Sequence, residues 1–201
     1  MGDASRPARG SRRRRARRHR AAFTIIELML TVGILGLLAT LAIPTMIRFQ
    51  LKAKAAEGRI NIAGIREAEE AHFAEAGVYA SALPVLPVVI GPVRQPWVLM
   101  PADPHGFNEI GYAPEGELYF QYGVTISGGG SAFTIEARSD IDGDGVHNTW
   151  GYVKPVPGTS AGVAGPLGTC PATGVIDPDT RAANRLNLVG PCSAQSGVSA
   201  Y

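Results

Sequence analysis

From Leu28 to Ile47 the chain runs for twenty residues without a charged side chain, LMLTVGILGLLATLAIPTMI. About twenty apolar residues wound into a helix match the hydrocarbon thickness of a bilayer. This run places a single membrane-spanning helix near the N-terminus and leaves everything after Ile47 on one side of the membrane. Charge sets the direction. Residues 1–22 hold nine arginines against the single acid Asp3, a net +8, whereas residues 23–201 carry a net −6. Basic flanks stay cytoplasmic, so the expected topology is an inner-membrane span with the N-terminus inside and the long C-terminal part exported.

Three simpler readings compete. A secretory signal peptide has a shorter apolar core followed by a small-residue cleavage site. A plain signal anchor needs no acid at membrane depth. A basic arm for nucleic acid needs no adjoining span, and SRRRRAR directly abuts one, so no direct nucleic-acid binding is expected from this leader. One residue breaks the plain-anchor pattern. Glu27 lies between FTII and LML at the edge of the apolar run. An ionisable group at membrane depth is costly and calls for a partner, and a cut between Ala22 and Phe23 creates a free amine four residues away.

The string FTIIELMLTVGILGLLATLAIP resembles the N-terminus of type IV prepilins and of type II secretion pseudopilins. The resemblance implies a basic leader, residues 1–22, removed by a prepilin peptidase after Ala22. It also implies N-methylation of Phe23, and an assembly glutamate fifth in the mature chain, which is Glu27. The helix proline falls at Pro44, and Gly33 and Gly36 stand where small residues are common. The family usually has Gly before the cut, and this chain has Ala22. Other pilin subunits, the peptidase and methylase, the inner membrane and the pilus or secretion assembly machinery are the implied partners.

After Ile47 the sequence RFQLKAKAAEGRINIAGIREAEEAHFAEAG is rich in helix formers. Ile62, Ile65, Ala68 and His72 or Phe73 recur at helical spacing as a core-facing stripe, and Glu67, Glu69, Glu70 and Glu75 read as a solvated face. One helix is expected from about Phe23 to Ala76, roughly 80 Å long, with residues 23–47 its membrane and assembly half, 48–77 its amphipathic half and Gly77 its stop. Frequent prolines over residues 78–116 read as an irregular connection packed by Trp97, Phe107 and Tyr112. Three strand-like runs follow, ELYFQYGVTI, AFTIEARS and HNTWGYVKP, the first two joined by SGGGS. Residues 78–155 thus form a globular part and 156–201 a Gly- and Pro-rich, loop-like region. The expected fold class is α+β, a long N-terminal helix against a small antiparallel sheet, which is also what the resemblance implies.

Asp140, Asp142 and Asp144 alternate in DIDGDG, a pattern suited to Ca²⁺. In an EF-hand count they take the first, third and fifth positions, with a carbonyl from Val146 and Asn148 at the ninth. The twelfth position is Gly151 rather than a bidentate Glu, and an empty Asp/Gly turn is the competing reading. Cys170 and Cys192 either bridge, as an oxidising compartment favours, or remain two thiols. His19, His72, His105 and His147 are scattered, and neither a phosphate-binding glycine loop nor a nucleophile elbow is present. The functions in play are therefore a subunit of a surface filament serving adhesion, motility or DNA uptake, a pseudopilin of a type II secretion system, and a tethered sheet domain that keeps its leader.

Overall fold

The computed structural model describes residues 22–85, 90–99, 101–103 and 105–196. The leader expected over residues 1–22 therefore lies outside the described residues except for Ala22. Helix α1 runs from Ile25 to Ala76, and the chain divides into two compact units at Pro44 and Thr45.

The first unit contains the apolar half of α1. Its large side chains, among them Ile25, Leu30, Leu37 and Leu41, are exposed. The helix is long and apolar enough to cross a membrane.

In the second unit the remainder of α1 buries Ala55, Gly58, Ile62, Ile65 and Glu69 along one face. The expected stripe of Ile62 and Ile65 is there. The expected solvated acidic face needs correction, because Glu69 is completely buried while Glu67 and Glu75 are exposed. Glu69 sits four residues after Ile65, hence on the same side of the helix. It enters the core because the amide of Ala80 donates to Oε2 at 3.1 Å. Gly77 ends the helix at φ 77°, with its N–H donating to the Phe73 carbonyl at 2.8 Å.

Four antiparallel strands face the helix: β3 Gln121–Ile126, β4 Phe133–Ser139, β5 Asn148–Val153 and β8 Val189–Pro191, in the order β3-β4-β5-β8. Side chains alternate across each strand. Ile135 pairs with Tyr152, and Ala137 with Trp150. Ile135 and Ala137 join Ile62, Ile65, Tyr122 and Phe133 in the main core. Close approach of helix and sheet depends on Gly58. A Cβ there would lie 2.8 Å from the Phe120 ring.

The proline-rich connection does more than cover the helix. Ala82 and Val124 exchange backbone hydrogen bonds at 3.0 and 2.8 Å, and Val85 donates to the Tyr122 carbonyl at 2.9 Å, so this segment lies along the outer edge of β3. A short pair, β1 Gln95–Pro96 with β2 Glu117–Leu118, and a single helical turn, α2 Gly106–Glu109, complete the connection. Trp97 packs edge-on against Phe107 at 4.9 Å and near Tyr112 at 6.1 Å, the packing expected of those three residues. The C-terminal region is loop-rich but contributes strands of its own. Besides β8, β6 Val175–Ile176 pairs with β7 Ala183–Arg185. Val153, Cys170, Val175 and Cys192 form a second core beneath them.

Candidate functional site

The N-terminal site is built on the first turns of α1. Phe23 is exposed, and Thr24 precedes the helix. The Thr24 hydroxyl accepts the Glu27 N–H at 3.2 Å. This is one half of a capping box, Thr-x-x-Glu, which satisfies one of the amides a helix start leaves unpaired. The same arrangement places the Glu27 carboxylate in the first turn, where the positive end of the helix dipole favours an anion. Downstream, Thr31 and Thr40 donate their hydroxyls to the carbonyls of Leu28 and Leu37 at 2.8 and 2.7 Å, so neither exposes an unbonded donor on the apolar surface. Pro44 lies inside the helix and has no N–H to give to the Thr40 carbonyl. A Cβ at Gly33 or Gly36 would meet nothing within 4 Å. In this structure those glycines are open helix surface.

The acidic loop connects β4 to β5. Oxygens of Asp140, Asp142 and Asp144 lie within 4.8 Å of one another. Asp140 accepts the N–H groups of Gly143 at 2.9 Å and Gly145 at 3.2 Å, and Asp144 accepts that of Val146 at 2.7 Å. Gly143 and Gly145 turn the chain at φ 75° and 83°. Desolvation, then the charges of Asp144 and Asp140, push the Asp142 carboxyl above the usual carboxylate range. Asn148 opens β5 opposite Ser139. Its side chain is buried, with both Oδ1 and Nδ2 unpartnered among the described residues. Cys170 and Cys192 are joined in a disulfide, their Cα atoms 4.7 Å apart.

Residues 17–43 match the family model described as the prokaryotic N-terminal methylation motif. The chain is also similar to the type IV major pilin protein PilA of Myxococcus xanthus (strain DK1622), with 32% identity over 107 residues. The chain carries the N-terminal methylation motif and is similar to a type IV major pilin over about half of its length. That stretch is 53% of this chain and covers 38% of the Myxococcus pilin. No solved structure matches.

The motif match covers Ala22, Phe23, Glu27 and Gly36 and stops one residue short of Pro44. Two residues that shape this chain escaped the sequence reading. Thr24 is one, although Thr-x-x-Glu before an apolar run is a recognisable capping signal. The other is Glu136 on β4, which is fully buried and accepts three backbone N–H groups from the segment leading to Cys170. Nothing local in AFTIEARS marks it, because its partners lie about thirty residues downstream.

Proposed function

We propose that the chain is a structural, non-enzymatic subunit of a type IV pilus, cut after Ala22 by a prepilin peptidase, methylated at the new N-terminus Phe23 and polymerised through its N-terminal helix. The observation that carries this reading is the apolar helix itself. Its apolar half is exposed and uncharged from Leu28 to Ile47, and the one acid of that half, Glu27, is held in the first turn four residues after Phe23. A lone carboxylate there is best satisfied by the Phe23 amine of a neighbouring subunit, which makes the pair a register-setting contact more than a source of stability. Pro44 and Gly36 weaken the same helix locally and suit it to repacking as subunits join. The name of the Myxococcus relative, a major pilin, supports a surface filament.

Intact mass and N-terminal sequence of material sheared from cells test the proposal. A chain beginning at N-methyl-Phe23 supports it. Retention of residues 1–22 overturns it in favour of a tethered domain.

A pseudopilin of a type II secretion system is the second reading, and the carboxylate cluster favours it. We propose that this loop takes Ca²⁺, with Asp140, Asp142 and Asp144 as carboxylate ligands, the Val146 carbonyl beside them and Asn148 adding an oxygen. The donor set suits a hard cation that accepts six to eight oxygens. Three of its hydrogen bonds already fix the carboxylates, and the bidentate twelfth ligand is replaced by Gly151, so affinity falls in the weak, extracellular range. Filaments recovered outside the cell favour the pilus, whereas a polymer confined to the periplasm favours the pseudopilin.

A further inference from the structure

The charges that follow the apolar run oppose the topology rule. From Arg48 to Ile60 the chain carries four cations, Arg48, Lys52, Lys54 and Arg59, against the single acid Glu57, whereas residues 61–201 carry a net −8. Basic residues beside a span ordinarily mark the cytoplasmic side, and the leader already supplies nine arginines there. The exported flank is basic for a reason other than orientation. A further cation reaches it from outside the helix. Lys54 Nζ lies 4.9 Å and the Arg94 guanidinium 5.0 Å from the centroid of the same Tyr119 ring. The ring attracts each cation, yet the two repel one another. Neither they nor Arg48 and Lys52 are in an ion pair among the described residues. Glu57, the acid nearest in sequence, is half-buried and committed to the backbone, its Oε1 accepting the Tyr119 N–H at 2.9 Å.

We propose that Arg48, Lys52, Lys54 and Arg94 form a collar that binds the anionic phospholipid headgroups of the leaflet from which the helix emerges. The inference rests on the helix crossing a membrane, not on its polymerising. Height and direction both fit a plane. Along a helix, Arg48, Lys52 and Lys54 stand about 2, 8 and 11 Å beyond Ile47, within reach of a surface whose field decays over about 10 Å. Around the axis Lys52 and Lys54 point about 160° apart, and Arg94 joins the Lys54 side through Tyr119. A partner lying alongside the helix meets one side only. A surface that the helix passes through meets both. Arg48, Lys52 and Arg94 are exposed and Lys54 is half-buried, so all four are open to phosphate, the arginines through a planar fork and the lysines as point charges. Phe49, 65% exposed beside Arg48, sets an apolar ring at the same level. The collar fixes the depth at which the helix sits and holds the subunit more firmly in an anionic bilayer than its apolar length alone.

The lysines make the test direct, because the chain has only three, Lys52 and Lys54 in the collar and Lys154 on β5 and its continuation. The full chain is placed in lipid nanodiscs, either of phosphatidylcholine or of phosphatidylcholine mixed with phosphatidylglycerol. A water-soluble acylating reagent is added, and each lysine is followed by peptide mass spectrometry. Co-elution of chain and disc comes first, and a chain that stays out of the discs sinks the membrane-span reading and the inference with it. Given insertion, Lys52 and Lys54 are expected to react about fivefold more slowly in the anionic discs at low salt, the factor that corresponds to one basic side chain held at an anionic surface. High salt restores the rate, and Lys154 reacts alike in both lipids. In Arg48→Gln/Arg94→Gln the protection of both lysines falls by about half or more, since the four cations hold the headgroups together. Equal rates in the two lipids, or slowing that Lys154 shares in full, overturns the inference. So does protection that is the same in both lipids and grows with the number of chains per disc, which assigns the collar to a second copy.

Discussion

The carboxylate of Glu136 accepts the backbone N–H of Cys170 at 3.2 Å. The same oxygen takes the Thr169 N–H at 2.9 Å, and the other oxygen takes that of Leu167 at 2.8 Å. A central strand thus holds the segment that delivers one end of the disulfide. The approach is close enough that a Cβ on Gly165 would collide with Glu136 Oε2.

Glu136→Gln keeps the shape and replaces one acceptor oxygen with an NH₂ that faces donors. The expected loss is about 2 kcal/mol, the scale of charge-assisted hydrogen bonds left unmade in a buried site. Thermal unfolding of the full chain in detergent measures it. Hydrogen exchange should quicken selectively at Leu167, Thr169 and Cys170, and uniform exchange across the sheet would contradict the local role.

Glu69 makes stability depend on pH. Burial, opposed by the Ala80 N–H and reinforced by the charges of Glu109 and Glu70, raises its carboxyl from 4.5 to about 7. A folded-state value above the unfolded one means that folding takes up a proton. The contribution is therefore complete below about pH 4.5 and is lost as pH rises through 7, about 3 kcal/mol in all. Oε1 has no hydrogen-bond partner among the described residues. Glu69→Gln is expected to flatten the melting temperature between pH 5 and pH 8, and an unchanged slope would place the titration elsewhere.

Gly151 has no room for a side chain. A Cβ there would run into Cys170 Sγ and lie 2.6 Å from Cys192 Sγ and 2.8 Å from the Ile135 carbonyl. Gly151→Ala should cost about 3 kcal/mol or more, since both sulfurs and a central strand must move. Gly128→Ala, with nothing within 4 Å of its Cβ, serves as the control. Thiol labelling under native conditions reports whether the bridge survives.

Calcium at millimolar concentration is expected to raise the melting temperature by a few degrees, as mass action requires of a ligand that binds only the folded state. Asp142→Asn together with Asp144→Asn should abolish the shift. Magnesium should give less of it, because it demands a tighter octahedral shell. No shift with either ion leaves the loop as a turn.

Elements governed by local periodicity were legible in advance. The helix expected from about Phe23 to Ala76 is Ile25–Ala76, and the three strand-like runs enclose β3, β4 and β5. Tertiary partners were harder to read. Glu69 looked like one more surface acid because EAEEA is acidic throughout. Its position four residues after Ile65 was the available signal, and the Ala80 amide that makes burial tolerable lies beyond the helix. Strand β8 is only three residues long and sits in a Gly- and Pro-rich stretch. It is specified by the open edge of β5, by the nearby bridge and by Val175, whose side chain lies 2.6 Å from where a Cβ of Gly190 would be.

The late arrival of β8 bears on how the chain reaches its final form. Residues 189–191 form the last strand of the main sheet in chain order, and they pair along the edge of β5. During synthesis that edge exists as soon as β3, β4 and β5 have paired, but its cover is still unmade. For that interval the nascent sheet presents an unpaired row of N–H and C=O groups, a template for strands of other copies. The nascent chain therefore has a brief opportunity to associate through this edge, and pairing of β8 with β5 closes it.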